Sequence, residues 1–186
     1  ELLPLLERDR DESKPLKLKV LFTSPTDGRK KTGSMPHPYR QGWKLQQFRD
    51  SWLTLQGVFE DGNQFELVVT ERTQIASGWK RSRSGKQKHK RKVKCKGAEL
   101  LLKFAFPRKS YGGMEVLQKD VAGAIQLPVD AELSGVKASE RSLQLKVKVP
   151  AATAQEPLGL LDVAAGMFLS LYQILNLARI MAKKST

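Results

Sequence analysis

The sequence predicts a mainly β fold: an antiparallel β-sandwich or open barrel of about seven strands, with a protruding basic β-hairpin and a C-terminal amphipathic helix. Three observations carry this expectation. Apolar, β-rich runs recur between turn signals from Lys17 to Val149. Between Arg72 and Lys109 there are fourteen lysines and arginines and one acid, Glu99, so this segment holds +13 of a formal net charge of +14. Beyond Pro157 strand alternation stops and an apolar stretch runs to Lys184. A chain of 186 residues, 40% of them hydrophobic, is long and apolar enough for one folded domain with a real core.

Taken in order, residues 1–16 read as an N-terminal tail, in which Pro4 and the charged run Glu7–Glu12 leave helix poorly specified. Residues 17–150 form the β domain. Lys17–Phe22 is its first expected strand, and the Pro/Gly-rich segment Ser24–Gly42 its first long loop. Trp52–Phe59 and Gln64–Glu71 are joined by Glu60-Asp61-Gly62-Asn63, and Asp-Gly between two such runs signals a hairpin. Val58, Phe59, Phe65, Leu67 and Val69 are the expected core contributors there. The arm spans about 72–109. Ser84-Gly85 turns the chain, pairing Ile75–Arg83 with Lys86–Lys94, and Leu100–Phe106 returns to the core. Val121–Leu127 and Ser142–Val149 are further strands, the latter alternating Leu143, Leu145, Val147 and Val149 with polar residues. Residues 151–186 are a linker and a helix of about seven turns. Its wheel places Asp162, Gly166, Ser170, Gln173, Asn176 and Lys183 on one side. Leu161, Ala164, Phe168, Leu171, Leu175 and Ala178 lie mostly opposite. Such a helix packs on the sheet or on a second copy. Surface attachment to a membrane is a lesser reading, and Leu158–Met181 is also long enough to span one.

The functional signal is a period of two. Lys86, Lys88, Lys90, Lys92, Lys94 and Lys96 occupy alternate positions, so in an extended strand all six point to one face. At ~6.6 Å per pair of residues the row is about 33 Å long. Lysine is a point charge without base preference, and two-stranded ribbons enter major grooves, so nucleic acid bound without sequence specificity is the expected partner. The bland account is an edge strand protected by charge against aggregation, for which one or two lysines suffice. The expected polyanion-binding residues are Lys80, Arg81, Arg83, Lys86, Lys88, Lys90, Arg91, Lys92, Lys94 and Lys96. Trp79 either stacks on a base or packs on the core. Arg29, Lys30 and Lys31, near His37, Tyr39 and Arg40, read as a solvated loop that extends the surface only if the fold brings it there. Trp43 and Trp52 read as core. Lys88–Lys94 matches a loose nuclear-localisation pattern, and Ser82 and Ser84 follow arginines as kinase substrates do, although exposed turn serines need no such role.

Catalysis finds little support in the residue types. Two histidines, His37 and His89, and one cysteine, Cys95, do not supply a structural zinc set. His89 and Cys95 fall on one strand face ~20 Å apart, too far for a dyad. Gly78–Lys86 has the wrong spacing and ending for a P-loop, and Gly28–Gly33 lacks the lysine that must follow. Asp50, Glu60, Asp61, Glu66 and Glu71 are scattered around the hairpin without forming an obvious acid pair. No catalytic, cofactor-binding or metal-binding residue is therefore assigned. A lone cysteine forms no intrachain disulfide, which suits a reducing compartment such as the cytoplasm. The chain opens on Glu1, as a processed product or a piece of something longer does. The alternative function is structural: a subunit of a shell or membrane-associated assembly. There the arm meets acidic neighbours or lipid headgroups, and the C-terminal helix drives homo-oligomerisation.

Overall fold

The computed structural model describes residues 2–106, 123 and 125–184. Its helices are α1 (Leu2–Arg8), α2 (Ala151–Gln155) and α3 (Gly159–Lys184). Its strands are β1 (Lys17–Val20), β2 (Lys31–Pro36), β3 (Lys44–Val58), β4 (Gln64–Arg81), β5 (Gln87–Ala105), β6 (Glu132–Ser139) and β7 (Ser142–Val149). All seven strands join one antiparallel sheet in the order β1-β3-β4-β5-β7-β6, with β2 pairing the other half of the β3 edge that β1 uses. The mainly β, antiparallel, seven-strand fold with a basic hairpin and a C-terminal helix is as expected. The sheet is not closed into a barrel, and α3 covers one of its faces.

The core lies between that face and α3. Leu100, Leu102 and Phe104 of β5 and Leu143, Leu145, Val147 and Val149 of β7 meet Val163, Met167, Phe168, Leu171 and Ala178 of the helix, all buried. Phe168 stands edge-on to Phe65 with centroids 5.3 Å apart. Each of the larger of these side chains contributes roughly 1.5–3 kcal/mol on burial, which is why α3 is integral to the domain. Leu6 of α1 is buried in the same cluster, so the N-terminal segment is docked as well. The segment Gly159–Ile180 has the length and mean hydropathy (1.5) of a membrane span. Its buried side closes this core. Ser170, placed by the wheel on the polar side, is buried: its hydroxyl accepts from the Gln126 backbone N–H at 2.9 Å and donates to the Gln126 carbonyl at 3.2 Å. Leu161, placed on the apolar side, is about half exposed.

The expected β3–β4 hairpin forms, with Gly62 at φ +81° in its turn and the Phe59 N–H donating to the Asn63 carbonyl at 2.8 Å. Both strands extend well past the apolar runs, back to Lys44 and on to Arg81. Part of the expected loop Ser24–Gly42 is β2, whose backbone finds partners along β3. β6, rich in small residues, was not foreseen and is held by β7. The strand expected over Val121–Leu127 lies partly outside the described residues. Its described part, 123 and 125–127, is not a strand, and Gln126 bonds to Ser170 of α3.

A candidate polyanion-binding arm

β4 and β5 pair from Gln64↔Ala105 to Arg81↔Gln87, one continuous ribbon. Its turn closes with the Ser82 N–H donating to the Lys86 carbonyl at 2.8 Å, and Gly85 takes φ +81°. β3 supports β4 only as far as Ser77, and β7 pairs β5 only from Ala98 onward. Among the described strands, the end of the ribbon therefore projects alone. The β5 edge over 87–95 pairs with β4 on one side and with no strand on the other.

A strict period of two along β5 would put the lysines on the face of Ala98, Leu100, Leu102 and Phe104, since all carry even numbers. The chain avoids this with a β-bulge. The register passes from Glu71↔Ala98 to Thr73↔Cys95, so Lys96 and Gly97 together oppose Arg72. Gly97 takes φ +98°, and a Cβ there would lie 2.1 Å from the Val149 carbonyl oxygen. The extra residue inverts the alternation. Cys95, Val93, Arg91 and His89 then continue the face that carries α3. Lys94, Lys92, Lys90 and Lys88 continue the opposite, outer face. β3 shifts register at the same level, between Ser51 and Leu53.

The expected residues accordingly divide. Lys88, Lys90, Lys92 and Lys94 form an outer-face row about 20 Å long, with Lys80 directly across from Lys88. Arg81 and Arg91 lie on the other face, Arg83 and Lys86 in the turn, and Lys96 in the bulge. The single row of six is thus corrected to four plus a cross-strand fifth, because the turn and the bulge take the two ends. Opposite Lys90, Lys92 and Lys94 stand Gly78, Ala76 and Gln74, so no cross-strand acid offsets the charge.

Two residues outside the expected set join the outer face. Trp43 lies directly on Gly78, where a Cβ would meet its ring at 2.5 Å. Its Nε1–H donates to the Trp79 carbonyl at 3.2 Å. The Arg40 guanidinium sits 4.8 Å from the Trp43 ring centroid, a cation–π contact. Arg40, Trp43, Lys80, Lys90 and Lys92 together line a groove of about 350 Å³. Gly78, with its missing side chain, was the available signal for this close approach.

Several cations of the body have carboxylate partners. Glu99, 6% exposed, faces Arg49, Arg72 at 3.8 Å and Lys146 at 3.3 Å. Lys30 pairs with buried Asp50 at 2.7 Å and Arg29 with Asp27 at 3.2 Å, so neither extends the basic surface. Lys103 and Gln56 donate to Glu66, which holds its carboxyl below the usual carboxylate range. Burial, with Asp9 nearby, pushes the Tyr172 phenol up. Among the described residues, Lys80, Lys88, Lys90, Lys92 and Lys94 have no carboxylate within 4.0 Å. Also among the described residues, no group of three or more His, Cys, Asp or Glu side chains is arranged to hold a metal ion.

No protein-family model, curated protein or solved structure matches this chain.

Proposed function

We propose that this chain is a non-catalytic binding protein whose arm holds a polyanion, nucleic acid bound without sequence specificity. One observation carries the reading. Arg49, Arg72, Lys146, Lys30 and Lys103 of the body are matched to Glu99, Asp50 and Glu66, whereas the outer-face lysines of the arm stand in register with one another or with neutral residues and, among the described residues, beside no carboxylate. Like charges in register destabilise a ribbon, and a row of phosphates relieves the repulsion. Lysines without planar, bidentate geometry select charge and not base, which is the basis for sequence independence.

A salt titration with a labelled oligonucleotide and with anionic vesicles tests it. Engaging four to five phosphates should give a log–log slope of about −4 for duplex DNA, and replacing Lys88, Lys90 and Lys92 by Glu should abolish binding. These side chains are exposed, so circular dichroism should be unchanged. Vesicle binding without oligonucleotide binding, or an unaltered affinity of the triple variant, would overturn the nucleic-acid reading.

A second reading makes the chain a structural subunit that self-associates. The observation favouring it is on α3, where Leu161, Leu169, Leu177 and Ile180 are each about half exposed on the side away from the sheet.

A further inference from the structure

We infer that the arm distinguishes single-stranded from duplex nucleic acid through a stacking site made by Trp79 and His89. The inference rests on the polyanion reading above and deepens it by naming the form of the ligand.

Trp79 and His89 are cross-strand partners on the face opposite the lysine row. Their rings meet edge to face with centroids 5.4 Å apart. Trp79 is 63% exposed, although its neighbour in space, Trp43, is buried and capped by Arg40. A tryptophan held in solvent on a ribbon beyond the core forgoes the burial that large aromatic side chains normally gain. The residues two places along each strand on the same face include Arg81 and Arg91, the latter steadied by donating to Thr26 Oγ1 at 3.1 Å. Aromatic and guanidinium planes beside one another stack unpaired bases of any identity.

The two faces of the ribbon therefore differ in chemistry. The outer face offers point charges for phosphates, and the inner face offers π surface for bases. The open β5 edge lies between them. A nucleic-acid strand along that edge presents phosphates to Lys88 and Lys90 and turns bases toward Trp79 and His89. A duplex keeps its bases stacked and paired inside, so it engages the lysines alone.

The experiment uses the full chain with two fluorescent probes at equal low salt: oligo-dT of roughly 12 nucleotides, within the range one such surface covers, and a duplex of the same length. The single strand should bind more tightly and quench tryptophan emission. Trp79→Ala should remove the quench and lower single-strand affinity about fivefold or more, leaving duplex affinity unchanged. Trp79→Phe should keep most of the preference. Equal losses on both probes, or no loss on either, would refute the stacking site while leaving the lysine row intact. If neither probe binds the unmodified chain, the polyanion reading itself falls, and the stacking site with it.

Discussion

A methyl group at Gly97 would sit 2.1 Å from the Val149 carbonyl oxygen, on a residue already at φ +98°. Both obstacles are backbone, so neither yields by rotating a side chain. Gly97→Ala should cost at least ~2 kcal/mol, read as a lowered midpoint in urea denaturation. The loss should exceed that of Gly28→Ala, where a Cβ meets nothing within 4 Å. Equal stability of the two variants would show that the bulge is not held as described. At Gly78 the obstacle is the Trp43 ring itself, so this glycine serves the groove and not the turn of the chain. Both glycines were visible in the sequence. Their partners were not, because the atoms each approaches lie far along the chain.

At the scale of the element, β5 is two strands of different character spliced by the bulge. From Ala98 to Ala105 it is flanked by β4 and β7; from Gln87 to Cys95 it has β4 alone. An open antiparallel edge leaves alternate amide groups facing solvent. Native-state hydrogen exchange should therefore show alternating protection over 87–95, against continuous protection over Leu100–Phe104. Uniform protection of the arm would mean that another chain covers the edge, which would favour the assembly reading. The lysine periodicity showed that this segment is a strand. It also fixed that these lysines share a face, but not which face, since the even-numbered pattern runs on without a break into Ala98, Leu100 and Leu102.

For the whole molecule, α3 supplies one layer of the core and also carries half-exposed Leu161, Leu169, Leu177 and Ile180. Truncation after Pro157 would remove Val163, Met167, Phe168 and Leu171 from the core, so it tests folding and not association. The cleaner variant is Leu169→Glu with Leu177→Glu, two half-exposed positions. If the chain self-associates through α3, light scattering should show a smaller particle for the double variant with unchanged circular dichroism. An oligomer of unchanged size would remove α3 from the interface. The electrostatic design also belongs to this scale. Glu99, Asp50 and Glu66 pair Arg49, Arg72, Lys146, Lys30 and Lys103 of the body, whereas the lysine row of the protruding ribbon has no such acid beside it among the described residues.

By itself the sequence determined the local features: strand content, the Asp61-Gly62 and Ser84-Gly85 turns, the C-terminal helix, and the concentration of charge between Arg72 and Lys109. Each depends on the period of side-chain direction or on turn chemistry, and both act over a few residues. The tertiary structure decided the rest. β2 and β6 are strands because β3 and β7 offer backbone partners, although their own residues signal little. The layer over the sheet is a helix because α3 brings a whole buried face to it. The lysines point away from that helix because Gly97 must pass close under Val149, a contact between residues fifty-two positions apart. That spacing carries no periodic signal, so only the folded chain reveals it.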